Sequence, residues 1–82
     1  MKIKLTKIRS IKNDTQNGAL AEGHTSIGVL LNPSIEIGCN VTIDRCEVNG
    51  IKKNGILTTS EVVDIKGDVF YTKNSAWRFE KV

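Results

Sequence analysis

Single apolar and polar residues alternate through most of the chain, and this pattern predicts β-strands rather than helices. Ile3 and Leu5 alternate with lysines and a threonine, as in a strand that is buried on one face. Ile8 and Ile11 then lie three positions apart, so a β-bulge between them would bring both side chains to the same face of the strand. Further strands are predicted at residues 25–31, 34–37 continuing at 41–43, 56–65, 69–73 and 77–81.

Turn signals separate these segments. Asn49-Gly50 and Asn54-Gly55 both carry the dipeptide that favours a tight turn, which leaves residues 51–53 as a loop. Pro33 lacks a backbone donor and therefore belongs at the end or the edge of a strand. Residues 13–18 are predicted to form a loop, and residues 66–68 a turn.

About six short antiparallel strands with glycine-rich turns predict an all-β fold, either a small barrel or a sandwich. The 82 residues suffice for a single domain over positions 1–82. A chain of this size buries only about 60% of its unfolded surface. A barrel is attractive because it leaves no free sheet edge, and oligomerisation would add buried surface.

The composition excludes several classes of protein. No apolar stretch approaches the roughly 20 residues that a membrane helix needs, and the first residues lack the apolar core of a signal peptide. We therefore expect a soluble cytoplasmic protein with no membrane partner. Cys39 and Cys46 are expected to be free thiols. One histidine and no Cys-x-x-Cys motif argue against zinc, and no metal or cofactor is predicted.

The net charge is +3, and the positive charge is concentrated near the start of the chain. A basic strand there is either a surface that faces phosphates or a solvated edge that prevents strand pairing; the sequence leaves both open. The basic residues before the first acid, Asp14, are Lys2, Lys4, Lys7, Arg9 and Lys12.

The sequence predicts no enzyme. A catalytic His24 would need a nucleophile and an orienting acid, and no spacing in the chain points to either. Because His24 lies between Gly23 and Thr25, we expect it to be a solvent-exposed loop residue.

Polar residues near the end of the chain are better candidates for binding. Thr59 and Ser60 place hydroxyls at the centre of a predicted strand, where they can pack or contact a ligand. Asn74 and Ser75 form a turn signal, and a side-chain amide at a turn could also recognise a base edge or a ribose.

All four aromatic residues lie between positions 70 and 79. We expect Phe70 and Phe79 inside the core. Tyr71 or Trp77, each with a polar edge, could lie at a wet surface, although Trp77 could equally close the core.

Two cations lie close to these rings in the sequence. A ring beside Lys73 and Arg78 would suit a nucleotide, with stacking for the base and positive charge for the phosphate.

The segment Thr59-Ser60-x-Val62-x-x-Ile65 followed by Thr72-x-Asn74-Ser75-x-Trp77 resembles a signature of very small bacteriophage-encoded β proteins. Gly28-Val29-Leu30-Leu31-Asn32-Pro33 is similar to a Gly-x-Leu-x-x-Pro stretch in those proteins. The resemblance covers residues 28–79, and Trp77 stands where a tyrosine is usual. One family of small phage β proteins forms oligomers that act as a sponge for the cyclic nucleotide signals of bacterial defence.

The resemblance implies that Thr59, Ser60, Asn74 and Ser75 help to form a ligand pocket, within or between subunits of a homo-oligomer. The leading hypothesis is therefore a non-enzymatic sponge that binds and sequesters a cyclic nucleotide at the interfaces of an oligomer. Two alternatives remain open: a barrel that binds single-stranded nucleic acid, and an inhibitor or adaptor that docks on a host protein.

Overall fold

Six β-strands account for most of residues 1–10 and 22–82, which a computed structural model describes. Each strand pairs antiparallel with the next, and β6 pairs with β1, so the sheet closes into a barrel. This confirms the predicted all-β fold and decides for a barrel over a sandwich. The predicted loop at residues 13–18 lies outside the described residues. The strands are β1 (Lys2–Ser10), β2 (Thr25–Leu30), β3 (Asn40–Val48), β4 (Ile51–Lys66), β5 (Val69–Thr72) and β6 (Ser75–Lys81).

The core fills the barrel from the inward positions of the alternating strands. Ile3 and Leu5 of β1 are fully buried, as their alternation with polar residues predicted. Each such side chain contributes about 1.5–3 kcal/mol on burial. Among the described residues, the buried apolar cluster consists of Ile3, Leu5, Val41, Ile43, Val62, Phe70 and Trp77.

Two of the predicted turns are confirmed. Asn49 and Gly50 both have positive φ, 51° and 79°, as a type I′ turn requires, and Val48 pairs with Ile51 across them. The chain reverses again between Lys66 and Val69, which also pair, with Gly67 at φ 62°.

The predicted turn at Asn54-Gly55 and the predicted loop at residues 51–53 are wrong, because all of these residues belong to β4. Ile51 and Lys52 pair with the end of β3, and the register shifts between Arg45 and Glu47. Gly55 takes φ 148° inside the strand. Its conformational freedom therefore serves a β-bulge instead of a turn.

The strand predicted at residues 34–37 is also absent, since β3 begins only at Asn40. Ile35 packs against the core from the connecting loop, whereas Ile37 is exposed. The end of this loop is fixed to β4, where Gly38 N–H donates to the Val62 carbonyl at 2.8 Å and Val62 N–H donates to the Cys39 carbonyl at 2.9 Å. The alternating apolar residues Ile35 and Ile37 therefore lie in a loop and not in a strand.

Within residues 1–10 and 22–82, no helix is long and apolar enough to span a bilayer. Cys39 and Cys46 are both free thiols, as predicted.

Candidate functional site

The polar residues singled out near the end of the chain meet at the turn between β5 and β6. Lys73 and Asn74 form this turn, and the Asn74 side-chain amide donates to the Ser60 hydroxyl of β4 at 3.2 Å. Ser60, Tyr71 and Asn74 are half-buried and Lys73 is exposed, so a ligand can reach all four. We call these four residues, Ser60, Tyr71, Lys73 and Asn74, the turn patch.

Thr72 holds the turn in shape from below. Its hydroxyl accepts hydrogen bonds from Ser75 N–H at 3.1 Å and Asn74 N–H at 3.4 Å, and it donates to the Ser75 carbonyl at 3.2 Å. Both Thr72 and Ser75 are buried. Ser75 is thus part of the support of the turn patch and not of its surface.

Thr59 has a similar supporting role between β3 and β4. Its buried hydroxyl accepts from Val41 N–H at 3.0 Å and donates to the Ser60 carbonyl at 2.8 Å. The Asn40 side chain donates to the Thr59 carbonyl as well, at 2.6 Å. These bonds lie where the β3–β4 register shifts between Asn40 and Thr42, and they satisfy backbone groups there.

The aromatic residues are mostly interior. Trp77 is only 5% exposed, and its ring stacks on Phe70 with 6.5 Å between centroids and 12° between planes. The core interpretation therefore fits Trp77 better than a ligand-stacking one. Phe70 is fully buried as expected, and Phe79 packs against the core while partly exposed. Tyr71 keeps an accessible edge.

Arg78 lies apart from the turn patch. It is three residues beyond Ser75 in β6, or about 10 Å along the strand. Its Nε is 3.7 Å from Asp68 Oδ2, and both side chains are largely exposed. The structure thus brings Ser60, Lys73 and Asn74 together but leaves Arg78 elsewhere on the outer face.

A second polar group lies on the inner face of the barrel, and sequence reasoning missed it. His24 is only 8% exposed, and its Nε2 is 2.8 Å from Ser26 Oγ. The expectation of an exposed loop residue is therefore wrong. Lys7 N–H donates to the His24 carbonyl at 2.9 Å, which continues the β1–β2 pairing past Thr25. With the period of two in a strand, His24 then faces inward beside Ser26.

Lys7 was expected to belong to the basic surface, but its side chain is 2% exposed. The register of β1 against β6 shifts only after Lys7, before Arg9, which places the bulge at Ile8. Lys7 therefore continues the inward series of Ile3 and Leu5. Of the outward basic residues, Lys2 and Arg9 are exposed and Lys4 is half-buried; Lys12 lies outside the described residues.

Arg45 of β3 completes this group. It pairs with Gly28 on one side and with Gly55 on the other. Burial lowers the pKa of His24, and the positive charges of Arg45 and Lys7 lower it further. Charges act on a pKa in this way only at short range. We call Lys7, His24, Ser26 and Arg45 the inner basic cluster.

A cavity of about 250 Å³ opens at the other end of β1. Its lining is almost entirely apolar, and it contains none of the site residues predicted from the sequence. It therefore offers space for an apolar group but few polar contacts that would orient a ligand. The lining residues are Met1, Ile3, Leu30, Pro33, Ser34, Ile35, Phe79 and Lys81.

Across residues 1–10 and 22–82, no three His, Cys, Asp or Glu side chains are grouped so that they could hold a metal ion. No protein-family model matches the chain, and neither the curated proteins nor the solved structures searched contain a significant match.

Proposed function

We propose that the protein binds a nucleotide-type signal at the turn patch and lowers its free concentration without chemical turnover. The observation that supports this proposal most directly is the contact between the Asn74 amide and the Ser60 hydroxyl at 3.2 Å. This contact joins an amide and a hydroxyl, which can bind base edges or ribose hydroxyls, and the residue before Asn74 is the exposed Lys73. Because the chain resembles phage-encoded sponges, the ligand that we propose is a cyclic nucleotide.

The proposed site includes a second copy of the chain. Thr59 and Ser75, which support the turn patch, are buried, so one copy of the chain supplies one wall of the proposed site. Ligand sites that bind tightly enclose most of the ligand surface. Two copies that face each other through their turn patches would supply the second wall, and a two-fold axis would make the contact self-complementary.

The nucleic-acid alternative receives less support from the geometry. Single-strand binding needs accessible rings along a basic groove. Trp77 and Phe70 are buried, and Lys4 pairs with Glu80 across β1 and β6, which reduces the positive charge of the outer face. We therefore expect weak, steeply salt-dependent binding to single-stranded DNA and much less salt dependence for the cyclic nucleotide.

Native mass spectrometry tests the proposal directly. The purified protein is measured alone and with a panel of cyclic dinucleotides, cyclic trinucleotides and cyclic ADP-ribose species at micromolar concentration. The expected result is a multimer that takes up a fixed number of ligands, which are recovered chemically intact. Uptake of no member of the panel would reject the proposal, and recovery of a cleaved ligand would reject its non-enzymatic part.

Matched substitutions locate the site. Asn74→Ala removes the amide, and Asn54→Ala changes an exposed asparagine of β4 as a control. We expect Asn74→Ala to weaken binding about fivefold or more, as the loss of a net hydrogen bond of about 1 kcal/mol predicts. Lys73→Ala and its control Lys53→Ala form the second pair. If the variant and its control weakened ligand binding equally in both pairs, the ligand would bind outside the turn patch.

A further inference from the structure

We propose that the inner basic cluster, Lys7, His24, Ser26 and Arg45, is an oxyanion site that holds a phosphate or sulfate group inside the barrel. This inference does not depend on the turn patch or on the proposed function. It rests on polar and positive side chains that three neighbouring strands bring to one part of the inner face.

The backbone pairing brings these side chains together. Lys7 of β1 is bonded to the two residues before Thr25 through its two backbone groups, because Lys7 N–H donates to the His24 carbonyl at 2.9 Å and Gly23 N–H donates to the Lys7 carbonyl at 2.8 Å. Ser26 of β2, two residues after His24, is fully buried. The cluster thus begins where β1 and β2 diverge.

Two register shifts flank Arg45, one on each side of β3. The β2–β3 register shifts between Ile27 and Gly28, and the β3–β4 register shifts between Arg45 and Glu47. Such bulges redirect side chains. The Arg45 guanidinium lies over Gly55, where a Cβ would come within 2.9 Å of Nη2, so the absence of a side chain at Gly55 makes room for it.

The guanidinium retains the capacity to bind an oxyanion. Its Nε is 3.4 Å from the Gly55 carbonyl, which uses one of the five N–H donors that an arginine offers. Arg45 is half-buried, so an anion from solvent can reach it. A planar fork of donors suits the oxygens of phosphate or sulfate, and the Ser26 hydroxyl and the His24 ring supply further polar groups.

The charge balance also favours an anion. The positive charges of Arg45 and Lys7 both oppose the protonation of His24. Glu22 precedes Gly23 in the chain and has an interaction of its own within the protein. Lys7 has its own interaction within the chain, so its contribution to anion binding is the electrostatic attraction of its positive charge. A bound dianion would stabilise the cations and make protonation of His24 easier.

Nuclear magnetic resonance of the full chain tests this inference, because His24 is the single histidine and reports on the site. Its ring signals are followed from pH 5 to 8 in sodium sulfate and in sodium chloride of equal ionic strength. We expect sulfate to raise the pKa of His24 relative to chloride and to bind in a saturable manner. An identical titration in both salts would overturn the proposal, and this comparison needs no variant.

Arg45→Gln is expected to weaken sulfate binding at least tenfold, whereas Arg78→Gln, which changes an exposed arginine of the outer face, leaves it unchanged. Equal losses in both variants would identify general surface electrostatics and reject the site. Should Arg45→Gln fail to fold, His24→Gln replaces it, with amide shifts of β2 as the readout.

The source of the oxyanion is decided by comparing inorganic phosphate, pyrophosphate and adenosine monophosphate. Similar affinities for all three support a site for a free oxyanion. Tighter binding of the monophosphate by tenfold or more supports a site for the phosphate of a nucleotide. Binding of none of them overturns the proposal, and it does so without affecting the test of the turn patch, which uses cyclic nucleotides.

Discussion

The turn patch and the inner basic cluster are both polar, but their polar groups are satisfied in different ways. Beneath the turn patch, the Thr72 hydroxyl exchanges neutral hydrogen bonds with Ser75 and Asn74. In the inner basic cluster, Lys7 and Arg45 place positive charge around a buried His24. Neutral hydrogen bonds respond little to salt or pH, whereas a charged interior responds to both. The first region is therefore suited to recognition by shape and hydrogen bonding, and the second to recognition by charge.

The largest effect is expected for Trp77, which belongs to the core of the barrel. Trp77→Ala removes a buried ring that stacks on Phe70, and the loss of such a ring costs about 3–5 kcal/mol of the free energy of unfolding. Tyr71→Ala, on the outward face of the same hairpin, is the control and should cost clearly less. Urea denaturation measures both. A Trp77→Ala protein of unchanged stability that loses ligand would restore Trp77 to the binding surface.

The next effect concerns the hydrogen bonds that shape the turn. Thr72→Val keeps the shape of the side chain but removes the hydroxyl that bonds to Ser75 N–H and C=O. We expect a loss of about 1–3 kcal/mol in the free energy of unfolding. Thr58→Val is the control, since Thr58 is exposed and its hydroxyl lies 3.4 Å from that of Thr42. Equal losses would mean that the Thr72 hydroxyl has no special part in the turn.

The inner basic cluster should respond to acid, because the pKa of His24 is lower in the folded protein than its ordinary value of 6.5. Well above pH 6.5 the ring is neutral in both states. As the pH falls below this value, the unfolded chain takes up the proton first, so the free energy of unfolding decreases until the folded pKa is passed. Thermal unfolding at pH 7.5 and 5 measures the loss.

His24→Gln should flatten this dependence, because it removes the titrating ring and leaves Lys7 and Arg45 in place. The carboxylates also titrate toward pH 5, so the comparison is made between the two proteins and not between the two pH values. A wild-type profile that matches the profile of His24→Gln would contradict the assignment.

The smallest effect is expected for Arg78→Gln on the outer face. Its ion pair with Asp68 is long, at 3.7 Å, and exposed, and such pairs contribute about 0–1 kcal/mol. Chemical denaturation should place this variant within about 0.5 kcal/mol of the wild type. A larger loss would show that charge on the outer face is as important to folding as charge inside the barrel.

Much of the fold is readable from the sequence where one local signal suffices. Alternation places Ile3 and Leu5 inside, and Asn49-Gly50 reverses the chain. The same dipeptide at Asn54-Gly55 does not, because pairing with β3 holds β4 extended there. A local signal cannot report this, since the partner strand decides which of two similar dipeptides becomes a turn.

The candidate sites show the same limit. Continuing the alternation of Ile3 and Leu5 up to a bulge beyond Lys7 places Lys7 inside, but its residue type assigns a lysine to the surface. His24 faces inward only because the pairing of β1 with β2 extends beyond Thr25. The Ser60–Asn74 contact joins residues 14 positions apart, and its existence depends on the path of β4 and β5. Residue types can be identified from sequence, whereas their juxtaposition depends on register.

The pairing of β1 with β6 has a consequence for the order of events during synthesis. Ile3 lies opposite Lys81, so β1 is made long before its second neighbour leaves the ribosome. Until then the nascent chain has an open sheet, and the interior side chains of β1 are only partly covered. Contacts between such distant segments slow folding. We therefore expect the barrel to close late, when β6 pairs with β1. Before that step, a chaperone could bind the uncovered inner side chains of β1 and β2.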